Sequence, residues 1–485
     1  MLNTQILKLF RSFQPEEFED FNDFVRSPYF NKSKSLIGLW DAVKKYSPEY
    51  NSENLKKEAI FAEVFKDREY KDGTMRNLIS SMNNLIEKFL EIRFHEMDKF
   101  QCNYNTLIYC LIKNYPELFQ KNYKKILADY DDKSEGQDYH YLNKYMIQRL
   151  GSAFGNLTGK ISTGIYAQGE SLICFFLIHF FQAQFNAAVL KIRRNEEIKE
   201  TAMKDFRESF DMENFLEKFK NKNDIDYKIL SLYYYMLLSF EDSEDTEIFN
   251  KFKKSFYETT GLIQKHEQEN ALSSILNTSV NRINMGINGA YREYTEIQRF
   301  RIKSDFNLKV TNDKINTAKL IIIIKNLFEA GEIELVTSEY LQYKDALIEE
   351  EKESIDNFFN AFKCFSEKDY NSSLSYSSKF RPKIEIHKIY LKLLQLKCYY
   401  ELNESEAFDY ALDSYRQILY RNDAFSEELK TYNKNFVTSL NNLFQYKLFP
   451  KGNFDDIKFE ILNNKMVGKD WLKEKMEELE SKIKK

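Results

Sequence analysis

The stretch of this 485-residue chain that comes nearest to a chemical motif is Gly155-Asn156-Leu157-Thr158-Gly159-Lys160-Ile161. A phosphate cradle needs four residues between its glycines, a lysine to reach the phosphates, and then a Ser or Thr to hold magnesium. Here three residues separate the glycines, Ile161 stands at the hydroxyl position, and the stretch follows a helical pattern, not a strand. It reads as a loop, or as small residues where helices pack closely. Asp129, Asp131 and Asp132 have the spacing that opens a calcium loop, but Gly136 comes too late for an EF-hand. A solvated acidic loop is expected instead. The five histidines (His95, His140, His179, His266 and His387) are scattered, and His266-Glu267 has no second histidine one turn on. No Cys–His spacing of a zinc site occurs. No Gly-x-Ser-x-Gly nucleophile setting occurs either. The expectation is a non-enzymatic chain with no catalytic residues, no cofactor and no metal.

The cysteines (Cys102, Cys110, Cys174, Cys364 and Cys398) are odd in number and form no Cys-x-x-Cys pair. Reduced, buried thiols in a cytoplasmic protein account for them better than a disulfide scaffold. Met1–Phe13 lacks the basic start and cleavage site of a secretory signal. The most apolar run, Leu172–Phe181, covers ten residues, half of what a membrane span needs. It is expected as a buried core helix and not as a membrane contact. Net charge is −4, from 71 basic and 75 acidic residues, which gives no overall field for nucleic acid.

Twenty Gly and Pro residues among 485 leave little material for tight turns, and 43% apolar with 30% charged residues favours amphipathic helices. In the first hundred residues, Phe18, Phe21, Phe24 and Val25 recur at spacings of three to four, and Leu78, Met82, Leu85, Phe89 and Ile92 repeat the pattern. Pro28 stops the first of these helices. Tyr29 and Phe30 follow it on a turn, either plugging the core or forming a partner hot spot. Residues 1–95 hold fifteen basic and fifteen acidic side chains. Arg26, Lys32, Lys34, Lys44 and Lys45 remain as a local patch through which a nucleic acid would be held.

Farther along, Leu172–Arg194 reads as a helix apolar almost all round, Phe206–Phe219 as one helix, and Asn403 with Glu406 as a helix-start pair. Ile355, Phe359, Phe362, Cys364, Glu367, Ser373 and Tyr376 recur 34 residues later as Ile389, Leu393, Leu396, Cys398, Glu401, Ala407 and Tyr410. An earlier copy lies 38 residues back, pairing Gly331 with Asp369. A period near 34 belongs to tetratricopeptide (TPR) helical hairpins, which bury their apolar faces only by stacking. The consensus is poor, since Ala361 of one copy faces Gln395 in the next, so the hairpins are TPR-like. The expected fold is all-α: a compact helical domain over 1–97, an irregular hairpin region over 98–310, TPR-like repeats of an α-solenoid over 311–450, and a helical cap over 451–485.

The order FEDFNDFVRSPYFNKSKSLIGLWDAVKKYSPEY, then LKKEAIFAEVFKDREYKDGTMRNLISSMNNLIEKFL, resembles the opening of an uncharacterised bacterial family of all-helical proteins. The family begins with a domain carrying the same Ser-Pro-Tyr-Phe-Asn turn and continues into degenerate repeats. Tyr399-Tyr400-Glu401-Leu402 and Trp471-Leu472 agree at the far end. The resemblance implies the fold and no activity. The function expected is a scaffold or adaptor holding a protein or peptide on the solenoid surface, with Tyr29, Phe30, Tyr234 and Tyr399 as candidate contact residues. The alternative is a nucleic-acid-associated regulator using the N-terminal domain.

Overall fold

The computed structural model describes residues 5–51, 55–131, 139–159, 164–194, 202–221, 223–308, 315–421 and 425–483. Of the described residues 81% are helical, in 24 α-helices, and none forms a strand. It divides into two compact units, the first made of residues 1–132 and 143–168, the second of 133–142 and 169–485.

In the first unit, α1 (Gln5–Ser12), α2 (Pro15–Arg26), α3 (Lys34–Val43), α4 (Lys57–Val64) and α5 (Asp72–Met97) surround one aromatic core. Pro15 opens α2, and Gln14 and Glu17 form a reciprocal capping box there. Trp40 is fully buried, with Phe10 and Phe21 each 5.0 Å away edge-on, and its Nε1 donates to Asn22 Oδ1 at 3.1 Å. The turn after Pro28 is held by buried Asn31, whose Nδ2 donates to Val25 O at 2.7 Å. A smaller core joins α6 (Lys99–Ile112), α7 (Pro116–Asp131) and α8 (His140–Leu157). The glycine-dense stretch is therefore not one loop: Gly151 and Gly155 lie inside α8. A Cβ on Gly151 would sit 2.3 Å from the Tyr123 hydroxyl of α7, so the glycine permits a close helix approach. Asp129 and Asp131 end α7, which is not the loop expected there; Asp132, Gly136, Lys160 and Ile161 lie outside the described residues.

The second unit takes in most of α9 (Ile165–Arg194), then α10 (Ala202–Ser209), α11 (Met212–Lys220), α12 (Asp224–Glu241), α13 (Thr246–Thr259), α14 (Lys265–Met285) and α15 (Ala290–Lys303). It continues with α16 (Thr317–Glu329), α17 (Ile333–Lys344), α18 (Glu349–Ser366), α19 (Tyr370–Lys379), α20 (Glu385–Leu402), α21 (Ser405–Arg421), α22 (Glu427–Leu448), α23 (Phe454–Asn463) and α24 (Lys469–Ile483). Each even-numbered helix from α12 to α22 packs against the next as a hairpin, and α12 with α14, α16 with α18 and α18 with α20 adjoin across hairpins. The turns of three hairpins carry one left-handed residue each, Gly331, Lys368 and Asn403, so these turns stand 37 and 35 residues apart. This shifts the expected equivalence of Gly331 from Asp369 to Lys368. Asn403 ends α20 in a left-handed C-cap and does not start α21, because Asn tolerates that backbone better than most residues.

Two other expectations change. Phe206–Phe219 is two helices, because the Asp211 side chain accepts from Asn214 N at 3.1 Å and starts α11 anew. The apolar helix α9 is not core all round: Cys174, Leu177, Ile178 and Phe181 are buried, but Leu172, Ile173, Phe176 and Leu190 are each more than 40% exposed. Residues 165–190 are long and apolar enough to cross a membrane by length and composition, and a third of the most apolar window is buried within the protein.

Candidate functional site

In the second unit a cavity of about 230 Å³ opens between α14, α15 and α16. One face of α14 supplies Leu272, Leu276 and Val280, three positions brought together by the helical spacing of four. Ile322 and Ile323 of α16 line it as well, together with Phe306 and Leu308 from the segment between α15 and α16. Leu276, Val280 and Ile322 are only half-buried, so the cavity is reached from solvent. Glu269 and Lys319 stand among the lining residues, with Lys319 Nζ 3.5 Å from Ser273 Oγ.

Its inner end is polar and comes from α15. Arg301, 3% exposed, donates from Nε to Gln298 Oε1 at 2.6 Å and from Nη1 to Phe306 O at 3.1 Å, and pairs through Nη2 with Glu339 of α17. Gln298 in turn donates to the Tyr294 hydroxyl at 2.8 Å. Burial pushes the Tyr294 hydroxyl up, so it stays protonated at neutral pH. An Arg–carboxylate pair taken out of water costs desolvation and is tolerated because its charges meet with further hydrogen bonds. The hydrogen bonds hold the guanidinium in one orientation against the cavity.

A second buried ionic cluster lies where Asn284 of α14, Glu329 of α16, Lys397 of α20 and Phe436 of α22 line one small internal space. Glu329 accepts from Lys325 Nζ at 2.6 Å, Lys397 Nζ at 3.0 Å and the Tyr291 hydroxyl at 2.9 Å. Burial alone would raise the Glu329 carboxyl, but the two ammonium groups more than offset it and hold it far below the usual range. The neighbouring segment closes on α14 as well: Met466 N donates to Met285 O at 3.3 Å. Gly286 is left-handed there, and a Cβ on it would lie 2.7 Å from Lys469 Cβ. Side chains thus fill the space between α14 and α22 here. Arg282 is fully buried beside it, donating to Ser243 O at 2.9 Å and Glu293 Oε2 at 3.0 Å.

The residues singled out from sequence are dispersed. Tyr29 is 84% exposed, whereas Phe30 stacks on Phe24 at 4.3 Å, so of the two only Phe30 packs against the core. Tyr234 lies half-buried on α12, its ring 5.4 Å from that of Phe181. Tyr399 lies half-buried on α20 against a different core; Tyr233 beside Tyr234 and Tyr400 beside Tyr399 are the buried members of those runs. Within the second unit, Tyr234 and Tyr399 belong to separate clusters. In the first unit, Arg26 and Lys44 both pair with Asp41, and Lys45 pairs with Glu63. Burial pushes the Cys398 thiol up to about 12 and holds the His387 imidazole down at about 4. Among the described residues no three His, Cys, Asp or Glu side chains gather as a metal site. No protein-family model matches the chain, and neither a characterised protein nor a solved structure is significantly similar to it.

Proposed function

We propose that the chain is a non-enzymatic cytoplasmic scaffold or adaptor, a stack of TPR-like hairpins that presents a surface to a protein or peptide partner. The observation that carries this reading is the outer side of α9. Leu172, Ile173, Phe176 and Leu190 stand exposed, and Phe206 of α10 and Phe210 just after it continue the apolar surface, with the Phe206 ring 5.3 Å from Phe176. Contiguous exposed apolar side chains of this kind mark interaction surfaces in soluble proteins. Stacked hairpins suit the role, because each contacts its neighbours and leaves an outer face free. Tyr29, at the tip of a turn fixed by Asn31, is a second aromatic available to a partner.

The test places a photo-crosslinking amino acid at position 176 and, as control, at exposed position 410 on α21. The expected result is a discrete protein adduct at 176 that disappears when Leu172 and Ile173 are changed to Asp. Equal labelling at 176 and 410 would defeat the proposal. Capture that falls by orders of magnitude between about 50 and 200 mM salt would indicate a nucleic acid instead.

A further inference from the structure

We propose that the cavity between α14, α15 and α16 binds a neutral small molecule with an apolar body and one oxygen acceptor. This goes beyond the scaffold reading and does not depend on it. Three observations carry it. The first is volume: an engineered apolar cavity of about 150 Å³ holds benzene, so by proportion about 230 Å³ holds roughly nine non-hydrogen atoms. The second is the walls, where Leu272, Leu276, Val280, Phe306, Ile322 and Ile323 offer aliphatic and aromatic contact for an apolar body, while Glu269 and Lys319 also stand among the lining residues.

The third is the polar end. A guanidinium has five N–H donors, and Arg301 spends three of them, on Gln298, Phe306 O and Glu339. Gln298 spends one of its two amide donors on Tyr294. Both side chains line the cavity and are at least 97% buried, so an acceptor arriving there meets donors already oriented. Glu339 balances the Arg301 charge. A carbonyl or hydroxyl oxygen therefore suits the site, while a carboxylate would bring a second negative charge beside Glu339.

Acetophenone, with nine non-hydrogen atoms, is the probe, and ethylbenzene is its counterpart without the oxygen. Binding to the full chain is read by calorimetry and by ligand-observed NMR. Acetophenone should bind once per chain, ethylbenzene about tenfold more weakly for want of one buried hydrogen bond, and benzoate more weakly than acetophenone. Leu276→Trp and Ile322→Trp, each placed on a half-buried wall position, should fill the cavity and abolish binding. Unchanged circular dichroism and melting of either variant establishes that it folds. Absence of acetophenone binding at about 10 mM, a weak affinity even for a ligand of nine non-hydrogen atoms, overturns the proposal. So does equal binding of ethylbenzene, or binding that survives in a folded cavity-filling variant. None of these outcomes touches crosslinking at position 176.

Discussion

Replacing Glu329 by Gln keeps the shape of the side chain and removes its charge, and the consequence can be worked from its three donors. The carboxylate takes one hydrogen bond on Oε1 from Lys397 and two on Oε2, from Lys325 and Tyr291. An amide presents a single oxygen, and its NH2 group must then face one of the donors. Two ammonium groups, 7% and 4% exposed, would be left without a counter-charge. Removing one partner of a buried ion pair costs about 3–5 kcal/mol. For a unit of this size that is a fall of roughly 4–7 °C in Tm. Changing Lys397 to Met in the same chain removes one stranded charge and should recover part of the loss. Acid should mimic the substitution. The folded-state pKa is depressed below 4.5, so this carboxylate's stabilisation is complete above that pH and drains away on acidification through the folded value. Thermal melts of wild type, E329Q and E329Q/K397M, followed by circular dichroism from pH 7 to pH 3, provide the assay. A Tm of E329Q within about 1 °C of wild type, or a double variant no more stable than E329Q, would refute the reasoning.

The other expectations are smaller in scale. His387 is buried and held neutral, with a folded pKa of about 4 against 6.5, so stability should be intact above pH 6.5 and decline toward pH 4. His387→Phe should flatten that part of the urea-stability profile. Gly169 has open space around its would-be Cβ in the second turn of α9, so Gly169→Ala should stabilise by roughly 0.5–1 kcal/mol. Gly151→Val meets the Tyr123 ring and should cost roughly 1–3 kcal/mol, partly restored by Tyr123→Leu; both are read from chemical denaturation. Ala411 is buried on α21, and Ala411→Phe should loosen α20–α22 while leaving α1–α5 protected in hydrogen exchange. Protection lost uniformly would contradict independence of the first unit.

The all-helical class was legible because scarce breakers and spacings of three to four residues are local signals, read wherever apolar side chains face inward. Helix α15 escaped for the opposite reason: Thr295, Gln298 and Arg301 are on its buried side, so charge faces the core and the apolar spacing is lost. α23 fully buries only Ile461, with Phe454 and Ile457 packed partly beside it, a stripe of three residues too short to stand out. Helix α9 is apolar on every side, and such a sequence does not tell which side is covered. The cavity and the ionic clusters were illegible because their members meet across the fold: Lys397 reaches Glu329 over 68 residues, and Arg301 reaches Glu339 over 38. Nothing about a lone Arg or Glu in a charge-rich chain announces a distant partner.

The contact between α14 and the segment before α24 bears on how this chain can change length. A row of hairpins open at both ends gains or loses a unit with little consequence, since each unit answers only to its neighbours. Here Gly286 lies against Lys469 and Met285 is bonded to Met466, with the hairpins from α16 to α22 between them in sequence. Deleting or duplicating one of those hairpins would carry the two contact points out of register. The number of hairpins in that stretch is therefore fixed by the seam that closes it. Those hairpins should melt together as one block, and insertions should be tolerated on their outer turns before they are tolerated between them.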